Sequence, residues 1–160
     1  GVAREAAIAK AQETIEKGKP EFIAWVGTEL QALNAAVKRA EQSAGDPASL
    51  DQVAHHCRQL RDVGSTMGFD LVTFVANNFC NVLAAIRAGN LYDKDAVDCH
   101  VDALSLAVQL PYRKLKPDQL PELSSGLQRI FEKLQNAGGS DPGQKIASPG
   151  VGASSDGSPR

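Results

Sequence analysis

The chain has 160 residues and a formal net charge of -2; 42% of its residues are hydrophobic but only 5% aromatic. That size suits one domain with tails. The charge balance gives no nucleic-acid footprint and no basic block for a membrane surface, and no apolar run is expected to span a bilayer.

The apolar share is mostly Ala, Leu and Val, which pack helices at little entropic cost. Residues 3–17, with Ile8 and Ile15 one heptad apart, read as a first helix, broken by Gly18-Lys19-Pro20. A second helix is predicted over 21–44, with Phe22, Val26, Leu30, Leu33, Val37 and Ala40 on one stripe, Trp25 flanking it, and Gly45-Asp46-Pro47 as its stop. Ser49 is the candidate N-cap of a third helix over 50–67. Its apolar positions Leu50, Val53, Cys57, Leu60, Gly64 and Met67 alternate by three and four, and Gly68 is the candidate C-cap.

A fourth helix follows over 70–88, apolar along Leu71, Val72, Val75, Phe79, Val82, Leu83 and Ile86, and Gly89-Asn90 stop it. A fifth is predicted over 93–109, ended by Pro111, and a sixth over 119–136. No alternating strand and no Gly-rich phosphate loop occurs. The expected fold is therefore all-α, an up-down four-helix bundle with extra N- and C-terminal helices. The expected organisation is an N-terminal helix and linker over 1–20, a bundle with its C-terminal helix over 21–137, and a disordered Gly/Ser/Pro tail over 138–160.

Cys57, Cys80 and Cys99 form no CxxC pair, so zinc and thioredoxin-type chemistry lack support. They read as small buried hydrophobes in a reducing compartment. Gly1-Val2-Ala3-Arg4-Glu5 does not read as a signal peptide; the cytoplasmic location expected for the chain is what the family resemblance given below implies.

The segment Arg58-Gln59-Leu60-Arg61-Asp62-Val63-Gly64-Ser65-Thr66-Met67-Gly68 carries the main functional signal. It resembles the active helix of the histidine phosphotransfer domain, the four-helix module of bacterial two-component phosphorelays. That family's pattern is His-x-(Leu/Ile)-(Lys/Arg)-Gly-x-(Ala/Gly)-x-x-x-Gly and then an aromatic. Leu60, Arg61, Gly64, Gly68 and Phe69 match it, and the resemblance extends from Trp25 to Val108.

Two departures fall where chemistry would occur. Arg58 stands in place of the phospho-accepting histidine, and Asp62 in place of the glycine one turn later. A guanidinium offers donors only and has no lone pair to attack a phosphoryl group. Asp62 fills the room a docking receiver domain would use and repels an incoming phosphoryl group. The four-residue spacing also predicts an Arg58–Asp62 ion pair on the helix surface.

Helical arithmetic places these side chains. With Cys57 at zero, Ser65, Arg58, Asp62 and His55 fall at about 80°, 100°, 140° and 160°, with Arg61 at about 40° on the stripe's edge. His55, Arg58, Gln59, Arg61, Asp62 and Ser65 are thus the candidate partner-binding residues. The resemblance implies a receiver domain or histidine kinase as partner, the receiver's acidic pocket engaging Arg58 and Arg61. No enzyme activity, nucleic acid, membrane, metal or cofactor is expected.

An alternative is an active phosphotransfer protein using His55 or His56, although neither brings the rest of the motif into step. A further alternative is an unrelated helical adaptor or scaffold. His56 is expected at the core boundary with a hydrogen-bonded ring, and His100 at the boundary of the fifth helix. Adjacent His55 and His56 project about 100° apart and cannot converge on one ion.

Overall fold

The structure is a computed structural model that describes residues 2–139, with side chains described for 2–10 and 20–137. Apart from 138 and 139, which end the last helix, the predicted tail lies outside these residues. The described residues form an all-α protein: α1 Val2–Gln42, α2 Pro47–Met67, α3 Asp70–Gly89, α4 Lys94–Ala107, a 3-10 turn at Pro117–Gln119, and α5 Pro121–Gly139.

The first two predicted helices are one. α1 runs through Pro20, and Gly18-Lys19-Pro20 does not end it. A proline inside a helix removes one backbone hydrogen bond. Here the Ala/Glu/Lys-rich sequence before it favours helix, and the core anchors the residues after it through Phe22, Val26, Leu33, Val37 and Ala40. At 41 residues α1 is about 60 Å long. Its first turns are solvent-exposed from Val2 to Lys10.

The N-cap of α2 is Asp46, not Ser49. The Asp46 carboxylate accepts the Ser49 N–H at 3.1 Å and the Ser43 hydroxyl at 3.0 Å, and these two hydroxyl-bearing partners, Ser49 first, hold it below the ordinary carboxylate range. Pro47 then opens the helix, where its missing N–H costs nothing. The preceding Gly45 has φ +80°, and a Cβ there would lie 3.0 Å from the Tyr92 ring. This contact ties the α1–α2 turn to the α3–α4 loop.

α2 and α3 form an antiparallel hairpin joined by Gly68 and Phe69 alone. Gly68 takes the left-handed conformation (φ +76°), as expected of the C-cap. The Phe69 N–H donates to the Gly64 carbonyl at 2.8 Å, closing the turn. Phe69 is buried, its ring centroid 4.9 Å from that of Phe22, while the Arg113 guanidinium sits over the ring, 6.0 Å from its centroid.

The hairpin is close because residue 64 has no side chain. A Cβ on Gly64 would lie 3.1 Å from Thr73 Oγ1 and 3.2 Å from Val72 Cγ1. Further along the pair, Asp51 on α2 forms an ion pair with Arg87 on α3.

α3 is the central helix and packs against α2, α4 and α5. Leu71, Val72, Val75, Ala76, Phe79, Val82, Leu83 and Ile86 are all buried. Contrary to the sequence expectation, α3 is long and apolar enough to cross a membrane, with a mean hydropathy of 1.4. Its packing against three helices accounts for that composition. α1 lies on α2 and touches α4, and α5 packs on α3 and α4.

Replacing Gly64 by Val should destabilise the protein by about 1–3 kcal/mol, because α2 and α3 must separate. Gly27→Ala is the control. No atom lies within 4 Å of that Cβ position, so it should stabilise by about 0.5–1 kcal/mol through helix propensity. Urea unfolding followed by circular dichroism separates the two.

Candidate functional site

The candidate face is built on the outer side of α2. Cys57 and Leu60 are buried against the other helices, which fixes the rotation of α2 about its axis. His55, Arg58, Gln59, Asp62 and Ser65 are consequently exposed, and Arg61 is partly buried at the edge. All six predicted residues therefore reach solvent. Gln59, at about 200° from Cys57, is the member furthest from the buried stripe. α5 leaves position 58 uncovered.

The charge pairing differs from the expectation. Asp62 Oδ1 accepts from Arg61 Nε at 2.9 Å, not from Arg58. Arg61, at the stripe's edge, reaches its sequence neighbour instead. Arg58 has no ion-pair partner among the described residues and is a free cation near the middle of α2. The Asp62 side chain, 68% exposed, occupies the surface one turn away.

The three histidines have different fates. His55 is exposed, its ring edge-on to His56 with centroids 5.3 Å apart. His56 faces α1, and its Nδ1 hydrogen-bonds Glu29 Oε2 at 2.6 Å, as a boundary residue with a bonded ring should. A carboxylate accepts, so Nδ1 is the donor in this bond.

His100 is not a boundary residue but fully buried. Its Nδ1 donates to the Ala96 carbonyl at 2.7 Å, and its Nε2 accepts from Asn78 Nδ2 at 2.7 Å. The same Asn78 amide donates to the Leu127 carbonyl at 2.9 Å. This arrangement joins α3, α4 and α5 and suits a neutral imidazole with its proton on Nδ1. Burial holds His100 below its ordinary pKa, only partly opposed by the bond to Ala96.

The cysteines also depart from the expectation of three buried thiols. Cys57 is buried, Cys80 on α3 is partly buried, and Cys99 is exposed. The Cys57 and Cys80 thiols act on each other across the hairpin, with Arg58 and Arg61 close by. Sequence reading missed Cys80 and Glu29 as neighbours of the candidate face. No spacing within one helix points to either, because Cys80 lies on α3 and Glu29 on α1.

Among the described residues no group of three or more His, Cys, Asp or Glu is placed to hold a metal ion. The chemistry available on the face itself is recognition by a free guanidinium, a guanidinium–carboxylate pair and neutral polar side chains. Comparisons with protein-family models, curated proteins and solved structures give no match.

His100 should make stability fall with acid. The unfolded chain takes up the proton near pH 6.5, whereas the folded chain resists it to lower pH. Stability due to this group is therefore complete above pH 6.5 and declines below it, by at most about 1.4 kcal/mol per pH unit. His100→Gln should flatten that part of the stability–pH curve. In NMR titrations, the His100 ring should stay neutral at pH values where an unperturbed imidazole is half protonated.

Proposed function

We propose that this chain is a histidine phosphotransfer-like signalling module that binds a receiver domain or histidine kinase of a two-component phosphorelay and passes no phosphate. In this reading the C-terminal half of α1 with α2, α3 and α4 makes an up-down four-helix bundle, to which α5 and the start of α1 are additions. Contacts running from α1 to α2, α3, α4 and back to α1, with short connections, support that architecture.

The observation that carries the functional reading is the setting of Arg58. It is exposed near the middle of α2, at the motif position of the nucleophile, and it is unpaired among the described residues. Gly64 and Gly68, the motif glycines present here, both have structural work: close approach to α3 and closure of the turn. The motif's framework is thus kept where it shapes the hairpin and altered where phosphate would be handled. A permanent cation at position 58 suits the acidic pocket that the resemblance implies on a receiver, while Asp62 disfavours an incoming phosphoryl group.

The test is binding by calorimetry against receiver domains and histidine kinase cores. A complex should form, weaken as salt rises, and lose affinity several-fold with Arg58→Ala and further with Arg58→Glu. A complex indifferent to both salt and position 58, or no binding to either partner class, would refute the reading.

A second reading rests on His56. Its Nδ1 bond to Glu29 orients the ring and leaves Nε2 as the nitrogen not engaged by Glu29, the atom a phospho-accepting imidazole would use. Incubation with a phosphorylated receiver distinguishes the two. The leading reading expects no label on this chain. Acid-labile, base-stable phosphate that disappears with His56→Gln would establish the second reading instead, and loss with His55→Gln would assign the neighbouring ring.

A further inference from the structure

The thiols of Cys57 and Cys80 are brought together by the hairpin itself. The Gly64–Thr73 contact fixes the antiparallel pairing of α2 and α3, and one heptad further along both helices the partners are Cys57 and Cys80. The two side chains are near enough across the interface to shift each other's titration. They are unequal. Cys57 is fully buried, whereas Cys80 is only partly buried and feels the charges of Arg61 and Arg58 on the α2 face.

We propose that Cys57 and Cys80 form a reversible redox site in which hydroperoxide oxidises Cys80 and Cys57 then closes a disulfide between α2 and α3. This goes beyond the proposed signalling role and does not depend on it.

The division of labour follows from the surroundings. The neighbouring Cys57 thiol, followed by the Arg61 and Arg58 charges, holds Cys80 below the ordinary thiol range against the opposing effects of burial and the Asp62 charge. Burial pushes Cys57 up, so it is the partner that keeps its proton. Cys80 is therefore the thiolate and the attacking sulfur.

The steps balance. The Cys80 thiolate attacks one oxygen of hydrogen peroxide; an S–O bond forms, the O–O bond breaks, and the departing hydroxide becomes water by taking up the proton that Cys80 had released to solvent on ionising. The Cys57 sulfur then attacks the Cys80 sulfenic acid. The S–S bond forms, the S–O bond breaks, and the hydroxyl leaves with the Cys57 proton as a second water. Two thiols lose two electrons, and the peroxide is reduced to two waters. A thiol reductant reverses the bond by exchange, so the site operates as a transient sensor in a reducing compartment.

The experiment treats the folded full chain carrying Cys99→Ser with hydrogen peroxide and follows it by intact mass and peptide mapping. The expected product has lost two hydrogen atoms and yields a Cys57–Cys80 linked peptide, removed by dithiothreitol and absent in Cys80→Ser. In Cys57→Ala the disulfide cannot close, and dimedone should label Cys80 as the sulfenic acid. In the wild-type chain, Cys80 should react at least about five-fold faster than exposed Cys99. The proposal is overturned if Cys57 and Cys80 remain free thiols in the folded Cys99→Ser chain, or if Cys99 is the first thiol oxidised in the wild type. Circular dichroism of each variant confirms that the folded protein is being read.

Discussion

Close approach of α2 to α3 at Gly64 governs what this protein presents to solvent. With no side chain at 64, Thr73 and Val72 come to within a few ångströms of the α2 backbone. The two-residue turn and this contact together leave one register for the hairpin. The rotation of α2 is then settled by burial. Cys57 is completely enclosed, while its neighbour Arg58 is exposed. Turning α2 by one residue would exchange them and drive a guanidinium into the core, at a cost of several kcal/mol after relaxation. The outward setting of Arg58, Asp62 and Ser65 thus follows from packing on the opposite side of the same helix.

The core solves a separate problem around α3. That helix packs on three others, so few of its positions can be polar without a partner. Asn78 is buried and uses its amide N–H groups on both His100 and the Leu127 carbonyl. His100 in turn uses both ring nitrogens. Each of these polar ring and amide nitrogens has a bond, and the set joins three helices. An imidazole so enclosed is committed to structure. This leaves His55 and His56 as the histidines whose rings lie outside the core.

Helix identity and the buried stripes of α2 and α3 were legible in the sequence because periodicity reports directly on which face is apolar. So was the exposure of the six candidate residues, which is the complement of the same pattern. Boundaries were less legible where two local signals competed. Asp46 and Pro47 start α2 ahead of Ser49 because a carboxylate cap followed by proline at the first position outweighs a later hydroxyl. Pro20 failed as a stop because local propensity and the anchored second half of α1 both continue the helix. Pairings were hardest to read. Whether Asp62 meets Arg58 or Arg61 depends on side-chain conformation at the stripe's edge. The partners of His56, His100 and Cys80 lie on other helices, beyond the reach of any spacing rule confined to one helix.

The Arg61–Asp62 pair changes the electrostatic meaning of the face. These two charges largely cancel at a distance, and the remaining field is that of Arg58. In water a single cation attracts a carboxylate 4 Å away by only about 1 kcal/mol, rising to about 4 kcal/mol where a protein surface lowers the effective dielectric to roughly 20. Position 58 therefore gains strength only when a partner covers it, and only if that partner brings an acid to meet it; an apolar partner would leave a desolvated charge unpaired. A histidine in the same place would be mostly neutral at pH 7 and would impose no such demand. On the proposed function, exchange of an imidazole for a guanidinium removes the nucleophile and makes the surface more selective toward an acidic pocket. The exchange would then be a change of role, from carrying a group between partners to holding one of them.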